Sequence, residues 1–90
     1  MEPIPFGFRQ IDYVIAVAET GSTAAAARLV NVSQPSVSLA VTRLEETLGQ
    51  PLFRRAAGQG MTPTAFGRRK LVEFRSLRAQ MRALLATDDG

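Results

Sequence analysis

The sequence predicts a mainly α-helical fold in which three short helices precede a β-hairpin and one long final helix. Three observations support this fold class. Residues 21–49 carry the start and stop signals of two short helices joined by a tight turn. Residues 51–63 form two extended runs around the glycine-punctuated stretch AAGQG. Residues 65–86 contain no proline and repeat apolar residues at helical spacing.

The first helix is predicted over residues 8–20, after an irregular lead-in. One face carries apolar residues at helical spacing, and we expect that face to be buried. Its members are Phe8, Ile11, Val14, Ile15 and Ala18. Tyr13 and Phe6 are expected to cover edges of the core rather than to stack on bases, because basic residues do not alternate with them.

The second helix is predicted over residues 24–30. Gly21 suits the left-handed end of the preceding helix, and either Ser22 or Thr23 can cap the new helix by accepting a backbone N–H. The second helix opens with four alanines, which have high helix propensity and little bulk. Another helix can therefore pack closely against it.

The third helix is predicted over residues 34–48, after a turn at Asn31 and Val32. Ser33 is its N-cap candidate, and Gly49 supplies its stop. An inward stripe at helical spacing contains Val37, Val41, Leu44 and Leu48. Two short helices joined in this way form a helix-turn-helix, a motif that presents its second helix to the DNA major groove.

The outer face of the third helix carries short side chains and no carboxylate in its first three turns. The face and its flanks contain Gln34, Pro35, Ser36, Ser38, Leu39, Thr42 and Arg43. Most of these offer hydrogen bonds to base edges or phosphates, the helix N-terminus favours a phosphate, and Arg43 can neutralise one. Glu45 and Glu46 lie at the far end, away from the groove. Each residue alone also fits a solvated surface, but the set favours double-stranded DNA as the partner.

The hairpin and the final helix complete the fold. Residues 51–55 and 61–63 are strand candidates around a tip at 56–60, and together they form a wing. Arg54 and Arg55 either contact phosphates or form a solvated basic strand.

Thr64 is the N-cap candidate of the last helix, whose length of about 33 Å exceeds what a domain this small can cover. Its apolar stripe contains Leu71, Phe74, Leu77 or Arg78, Met81, Leu84 and Leu85. Either part of this stripe needs a partner, or the whole stripe packs on the first helix.

Composition suits one compact domain of 90 residues with a net charge of +3. The charge is uneven, because residues 1–49 hold three basic against five acidic side chains, and residues 50–82 hold eight against one. A membrane-surface helix is the competing use of the basic half, but folding and dimerisation already use its apolar stripe. No segment is apolar over the length of a membrane span either. No signal peptide is recognisable, because the N-terminus is acidic and interrupted by proline, so we expect a cytoplasmic protein.

The sequence contains neither cysteine nor histidine. This excludes disulfides, zinc fingers, thiol nucleophiles and the commonest general base. The few carboxylates are scattered, and no nucleotide-binding motif occurs. We therefore expect no enzyme activity, no metal and no cofactor.

The chain resembles the LysR-type transcriptional regulators of bacteria over nearly its whole length. The resemblance is carried in order by FRQIDYVIAVAETGS (residues 8–22), Ala26 and Ala27, VSQPSVS (residues 32–38), RLEETLGQPLFRR (residues 43–55), and Thr64 with Gly67. It implies a winged helix-turn-helix with a three-helix core over residues 1–63, followed by a linker and dimerisation helix over residues 64–90. It also implies a homodimer through that helix, which reads an interrupted palindrome.

The same resemblance assigns roles by position. Gln34, Pro35 and Ser38 match recognition-helix residues that touch DNA, and Ser33 and Ser36 match positions that reach its backbone. Arg43 and Arg55 match common basic sites of the helix and the wing. In the family, a large domain that binds a small-molecule effector follows this region, and the full-length proteins are commonly tetramers. This chain, ending at Gly90, is expected to bind DNA without responding to an effector.

Two departures from the family pattern bear on recognition. Leu39 and Ala40 stand where arginine and glutamine are common, so a guanine-reading candidate is replaced by a side chain suited to a thymine methyl. The wing tip also lacks the usual arginine, which argues against insertion in the minor groove. The alternative function is a helix-turn-helix module for protein interaction or dimerisation, without specific DNA binding.

Overall fold

The computed structural model describes residues 1–56, 58 and 60–86. The elements are α1 (Phe8–Thr20), α2 (Thr23–Val30), α3 (Gln34–Leu48), β1 (Phe53–Ala56), β2 (Gly60–Pro63) and α4 (Ala65–Leu85). The two strands pair antiparallel as a hairpin. This architecture confirms the predicted fold class. Ala57 and Gln59 of the predicted wing tip, and residues 87–90 of the predicted linker segment, lie outside the described residues.

Side-chain caps begin three of the helices, as the sequence predicts. Ser22, Ser33 and Thr64 each accept a hydrogen bond from the backbone N–H three residues later, at 2.9, 3.3 and 2.9 Å. Each bond satisfies an amide that has no partner within its helix. Of the two predicted caps for α2, the structure selects Ser22, and α2 begins one residue earlier than predicted, at Thr23.

A residue in the left-handed backbone conformation ends each of the first three helices. Gly21 and Gly49 adopt φ values of 76° and 82° after α1 and α3, as predicted. Asn31 takes the same conformation, with φ of 61°, in the turn between α2 and α3. Asparagine tolerates this region better than other residues with a Cβ atom, so the short helix-turn-helix connection needs no glycine.

Helices α1, α2 and α3 pack against one another around a small core. The predicted inward stripe of α3 is confirmed, because Val37, Val41 and Leu44 are buried and Leu48 is half-buried. The predicted face of α1 is only partly right. Phe8 is 41% exposed, because it occupies the first residue of the helix, whereas Tyr13 is buried. Contacts of α1 with α2, α3 and α4 bury more than one of its faces.

The long helix α4 divides into two halves. Leu71 and Phe74 are 3% and 4% exposed, because the first turns of α4 pack against α1 within this chain. Their predicted role in dimerisation is therefore wrong, since they have no surface left for a partner. Leu84 and Leu85 in the second half are largely exposed, at 76% and 71%. The chain measures 52 × 31 × 22 Å because this half projects beyond the core.

Backbone hydrogen bonds join the hairpin to the end of α1 and to the N-cap of α4. The Leu52 carbonyl accepts from the Thr64 amide at 2.9 Å, and the Met61 amide donates to the Gly21 carbonyl at 2.8 Å. Gly67 lies so close to this segment that a Cβ atom would collide with the Leu52 carbonyl oxygen. The wing and the start of α4 are therefore fixed to each other by backbone contacts.

Candidate nucleic-acid interface

The outer face of α3 is one continuous exposed surface opposite the buried stripe. Exposed residues along it are Gln34, Pro35, Ser36, Leu39, Thr42 and Arg43, and Ser38 is half-buried. Leu39 is 49% exposed although it is a large apolar side chain. The structure thus brings all seven predicted residues of this face together on one side of the helix.

Three of the predicted contact residues form hydrogen bonds at the start of α3. The Ser33 and Ser36 hydroxyl oxygens lie 2.8 Å apart, and Ser33 also caps the helix. This pair is exposed, so both hydroxyls retain a side toward solvent. The Gln34 Nε2 atom donates a hydrogen bond to the Thr23 hydroxyl at 3.0 Å.

Sequence reasoning did not assign any role at the interface to Thr23. It is 7% exposed and lies at the first residue of α2, directly beneath the Gln34 side chain. The available signal was the pair of adjacent hydroxyl residues before α2. Because only one of them can serve as the N-cap, the other is left free for a tertiary hydrogen bond.

Between α3 and the wing lies a cleft of about 210 Å³. Ser38 and Thr42 of α3 line it together with Arg55 of the wing. The Glu45 carboxylate also lines it, so the cleft holds one acidic and one basic side chain beside the hydroxyl groups. Successive residues of a strand point to opposite faces of the sheet. Arg54 is exposed but is not among the lining residues, and the structure therefore separates the two predicted wing arginines.

The two carboxylates at the end of α3 have different surroundings. The Glu45 Oε2 atom accepts backbone hydrogen bonds from Leu52 at 2.7 Å and from Phe53 at 3.3 Å. Its charge is thereby directed at the base of the wing, whereas Glu46 is exposed. The first three turns of the outer face remain free of acidic side chains.

The predicted dimerisation residues fall into three environments. Leu71 and Phe74 lie in the core, as described above. Arg78 forms an exposed ion pair with Asp12 of α1, with 2.7 Å between Nε and Oδ1, so Leu77 is the apolar member of the predicted alternative Leu77 or Arg78. Leu77 is 41% exposed, Met81 is half-buried, and Leu84 and Leu85 are largely exposed. These last four form the accessible apolar stripe of α4.

Features of other classes of protein are absent from the part of the chain that the structure describes. No group of three or more histidine, cysteine, aspartate or glutamate side chains could hold a metal ion among residues 1–56, 58 and 60–86. Within the same residues, no helix is both long and apolar enough to cross a membrane.

The family model of bacterial regulatory helix-turn-helix proteins of the lysR family matches residues 8–68. The chain belongs to this family.

Curated relatives of this LysR-family chain are regulatory proteins of bacteria. The small neutral protease regulatory protein of Streptomyces coelicolor is 40% identical over 77 residues, which cover 86% of this chain and 23% of that protein. The regulator ClcR of Pseudomonas putida is 44% identical over 70 residues, covering 78% of this chain and 24% of ClcR. The LysR-family chain thus spans about a quarter of the length of the curated relatives it matches.

Solved structures of LysR-family DNA-binding domains have the same fold. The DNA-binding domain of CbnR in complex with DNA is 40% identical, with a TM-score of 0.78 over 87% of this chain and 90% of that one. The DNA-binding domain of BenM bound to its catB site 1 DNA is 26% identical, with a TM-score of 0.82 over 89% and 85%.

Proposed function

We propose that this chain is the sequence-specific DNA-binding domain of a bacterial LysR-type transcriptional regulator, which inserts α3 in the major groove. The observation that carries this proposal is the continuous, exposed outer face of α3, free of carboxylates over its first three turns, beside the cleft that Arg55 of the wing lines. An α-helix with short side chains on one face fits the major groove, where base edges are distinguishable. The CbnR and BenM domains, whose structures contain DNA, share this fold.

The residues of the interface divide into base-reading and backbone-binding groups. Gln34, Ser36 and Ser38 offer hydrogen bonds to base edges, and Leu39 offers an apolar contact to a thymine methyl. Arg43, Arg54 and Arg55 carry charge that neutralises phosphates. Pro35 packs against the groove wall, and Ser33 and Thr42 donate to the sugar-phosphate backbone.

A homodimer formed through the accessible apolar stripe of α4 completes the proposal. Leu77, Met81, Leu84 and Leu85 are exposed or half-buried although they are apolar, and α4 projects beyond the core that covers its first half. A two-fold dimer presents two copies of α3 to half-sites separated by one helical turn of DNA or more, about 34 Å. The operator is therefore an interrupted palindrome.

We infer that the whole protein has a further domain that binds a small-molecule effector, and that the whole protein assembles to a tetramer. The support is the length of the curated relatives, about four times the matched segment. The domain itself is proposed to be a cytoplasmic DNA-binding module without enzymatic activity or cofactor, in keeping with its regulatory relatives.

Selection of duplexes from a random DNA pool tests the function. At near-physiological salt, we expect enrichment of an interrupted palindrome that binds more tightly than scrambled DNA of equal length. Three arginines per subunit predict a slope of log affinity against log salt of roughly −5 for the dimer. Enrichment of no sequence, with only weak and salt-sensitive binding, would instead support the alternative of a protein-interaction module.

A further inference from the structure

The start of α2 lies against the start of α3, and one side-chain hydrogen bond joins them. Gln34 Nε2 donates to the Thr23 hydroxyl oxygen at 3.0 Å. Thr23 is the buried polar residue among the described parts of the chain, at 7% exposure, whereas Gln34 is exposed. Ser22 caps α2, so the Thr23 hydroxyl is free for this contact. The bond therefore anchors a solvent-facing side chain to a fixed point in the core.

A buried anchor restricts a side chain that is otherwise mobile. Glutamine has three rotatable side-chain bonds, and an unrestrained glutamine on a helix surface samples many rotamers. Threonine is branched at Cβ and has few χ1 choices in a helix, so its hydroxyl has a defined position. The contact with Thr23 selects those Gln34 rotamers that lie over the N-terminus of α2.

The anchored amide keeps the groups needed for base recognition. A glutamine amide has two N–H donors and one carbonyl acceptor, and Thr23 uses one donor. The remaining N–H and the carbonyl oxygen match the acceptor N7 and the donor N6 that adenine presents in the major groove. Anchoring at Thr23 is thus compatible with a bidentate contact from the same side chain.

We propose that Thr23 is a positioning residue that orients Gln34 for base reading, and this inference rests on the proposed function. Thr23 is 7% exposed and lies in the wall of the cleft behind Gln34, so its hydroxyl holds the Gln34 amide and does not itself read a base. Holding Gln34 in place before DNA binds leaves fewer rotamers to be lost on binding. Loss of the Thr23 contact should therefore reduce discrimination at the base pair that Gln34 reads and leave general DNA affinity unchanged.

The test compares Thr23→Val, which removes the hydroxyl at nearly constant shape, with Thr23→Ser, which keeps it. The probe is the duplex selected by the unmodified protein, together with duplexes changed at the base pair where Gln34→Ala loses discrimination. We expect Thr23→Val to reduce discrimination at that base pair by about 3- to 10-fold, the cost of immobilising one rotamer-rich side chain on binding, and Thr23→Ser to restore it. Affinity for scrambled DNA and the salt slope stay unchanged.

Two controls test whether the effect is specific, and a third variant is held in reserve. Thr47→Val makes the same replacement at an exposed position near the far end of α3 and should leave discrimination unchanged. In a Gln34→Ala background, Thr23→Val should cause no further loss, because no amide remains to be oriented. Thr23→Ala repeats the measurement if Thr23→Val does not fold, as judged by circular dichroism.

Distinct outcomes overturn the inference. Unchanged discrimination in Thr23→Val removes the positioning role, and improved discrimination means that Thr23 competes with DNA for the Gln34 amide. A loss that persists in the Gln34→Ala background means that Thr23 only supports the fold. If the unmodified protein enriches no sequence at all, the proposed function fails instead, and this result is separate from the other three.

Discussion

Replacing Glu45 with alanine should destabilise the whole domain, although Glu45 lies near the end of α3 and is only half-buried. Its carboxylate accepts the backbone N–H groups of Leu52 and Phe53, and these two residues are 0% and 6% exposed. Without an acceptor, each buried N–H costs about 1–3 kcal/mol, with the 3.3 Å bond of Phe53 at the lower end. The total loss of unfolding free energy is therefore about 2–4 kcal/mol.

Urea denaturation followed by circular dichroism measures this loss, and thermal unfolding gives a second estimate. A loss of about 2–4 kcal/mol lowers the Tm of a domain of this size by roughly 10–25 °C. Glu46→Ala is the matched control, because Glu46 is the adjacent glutamate and is exposed; its effect should stay within about 0.5 kcal/mol. Equal stability losses for the two variants would refute the reasoning, because the structure gives only Glu45 buried backbone partners.

Four further predictions concern recognition, packing and assembly. Gln34→Ala should lose about 1–3 kcal/mol of discrimination at one base pair, whereas Arg55→Ala should weaken binding to all DNA and reduce the salt slope by about one. Titrations on selected and scrambled duplexes measure both effects, and a general loss for Gln34→Ala with a base-specific loss for Arg55→Ala would contradict these roles. Leu39→Arg should shift selected DNA toward G·C opposite this residue, and identical selected sequences would remove Leu39 from the reading face. Gly67→Ala should cost about 3 kcal/mol in denaturant unfolding, since its Cβ meets the Leu52 carbonyl, and an unchanged midpoint would show that the backbone yields there. Leu84→Asp should weaken self-association in sedimentation experiments, and it should leave the unfolding midpoint of the dilute protein unchanged. A dimer of unchanged affinity would exclude this end of α4 from the interface.

Local features of the fold were predictable because their physical causes are close in sequence. The bounds of α1 and α3, and three of the four N-caps, follow from cap residues and apolar spacing within a few residues. The predicted end of α4 differs from the observed end by one residue. The order of elements and the inward stripe of α3 followed from the same signals.

Features that depend on distant residues were not predictable from these patterns. Glu45 and Glu46 look equivalent in sequence, and only the position of the hairpin distinguishes them. Periodicity placed Leu71 and Leu84 on one apolar stripe, but it did not show where α1 stops covering α4. The hydrogen bond between Thr23 and Gln34 required the packing of α2 against α3.

The inner face of α3 stabilises the fold, whereas its outer face is available for binding. Substitutions at Val37 or Leu44 alter the core, whereas Leu39 and Thr42 project outward and contribute little to it. Operator preference can therefore diverge at the outward positions, by mutation or in a combinatorial library, while the scaffold stays folded. Gln34 is less free to vary than its exposed neighbours, because a change there would also leave the buried Thr23 hydroxyl without the N–H group that donates to it.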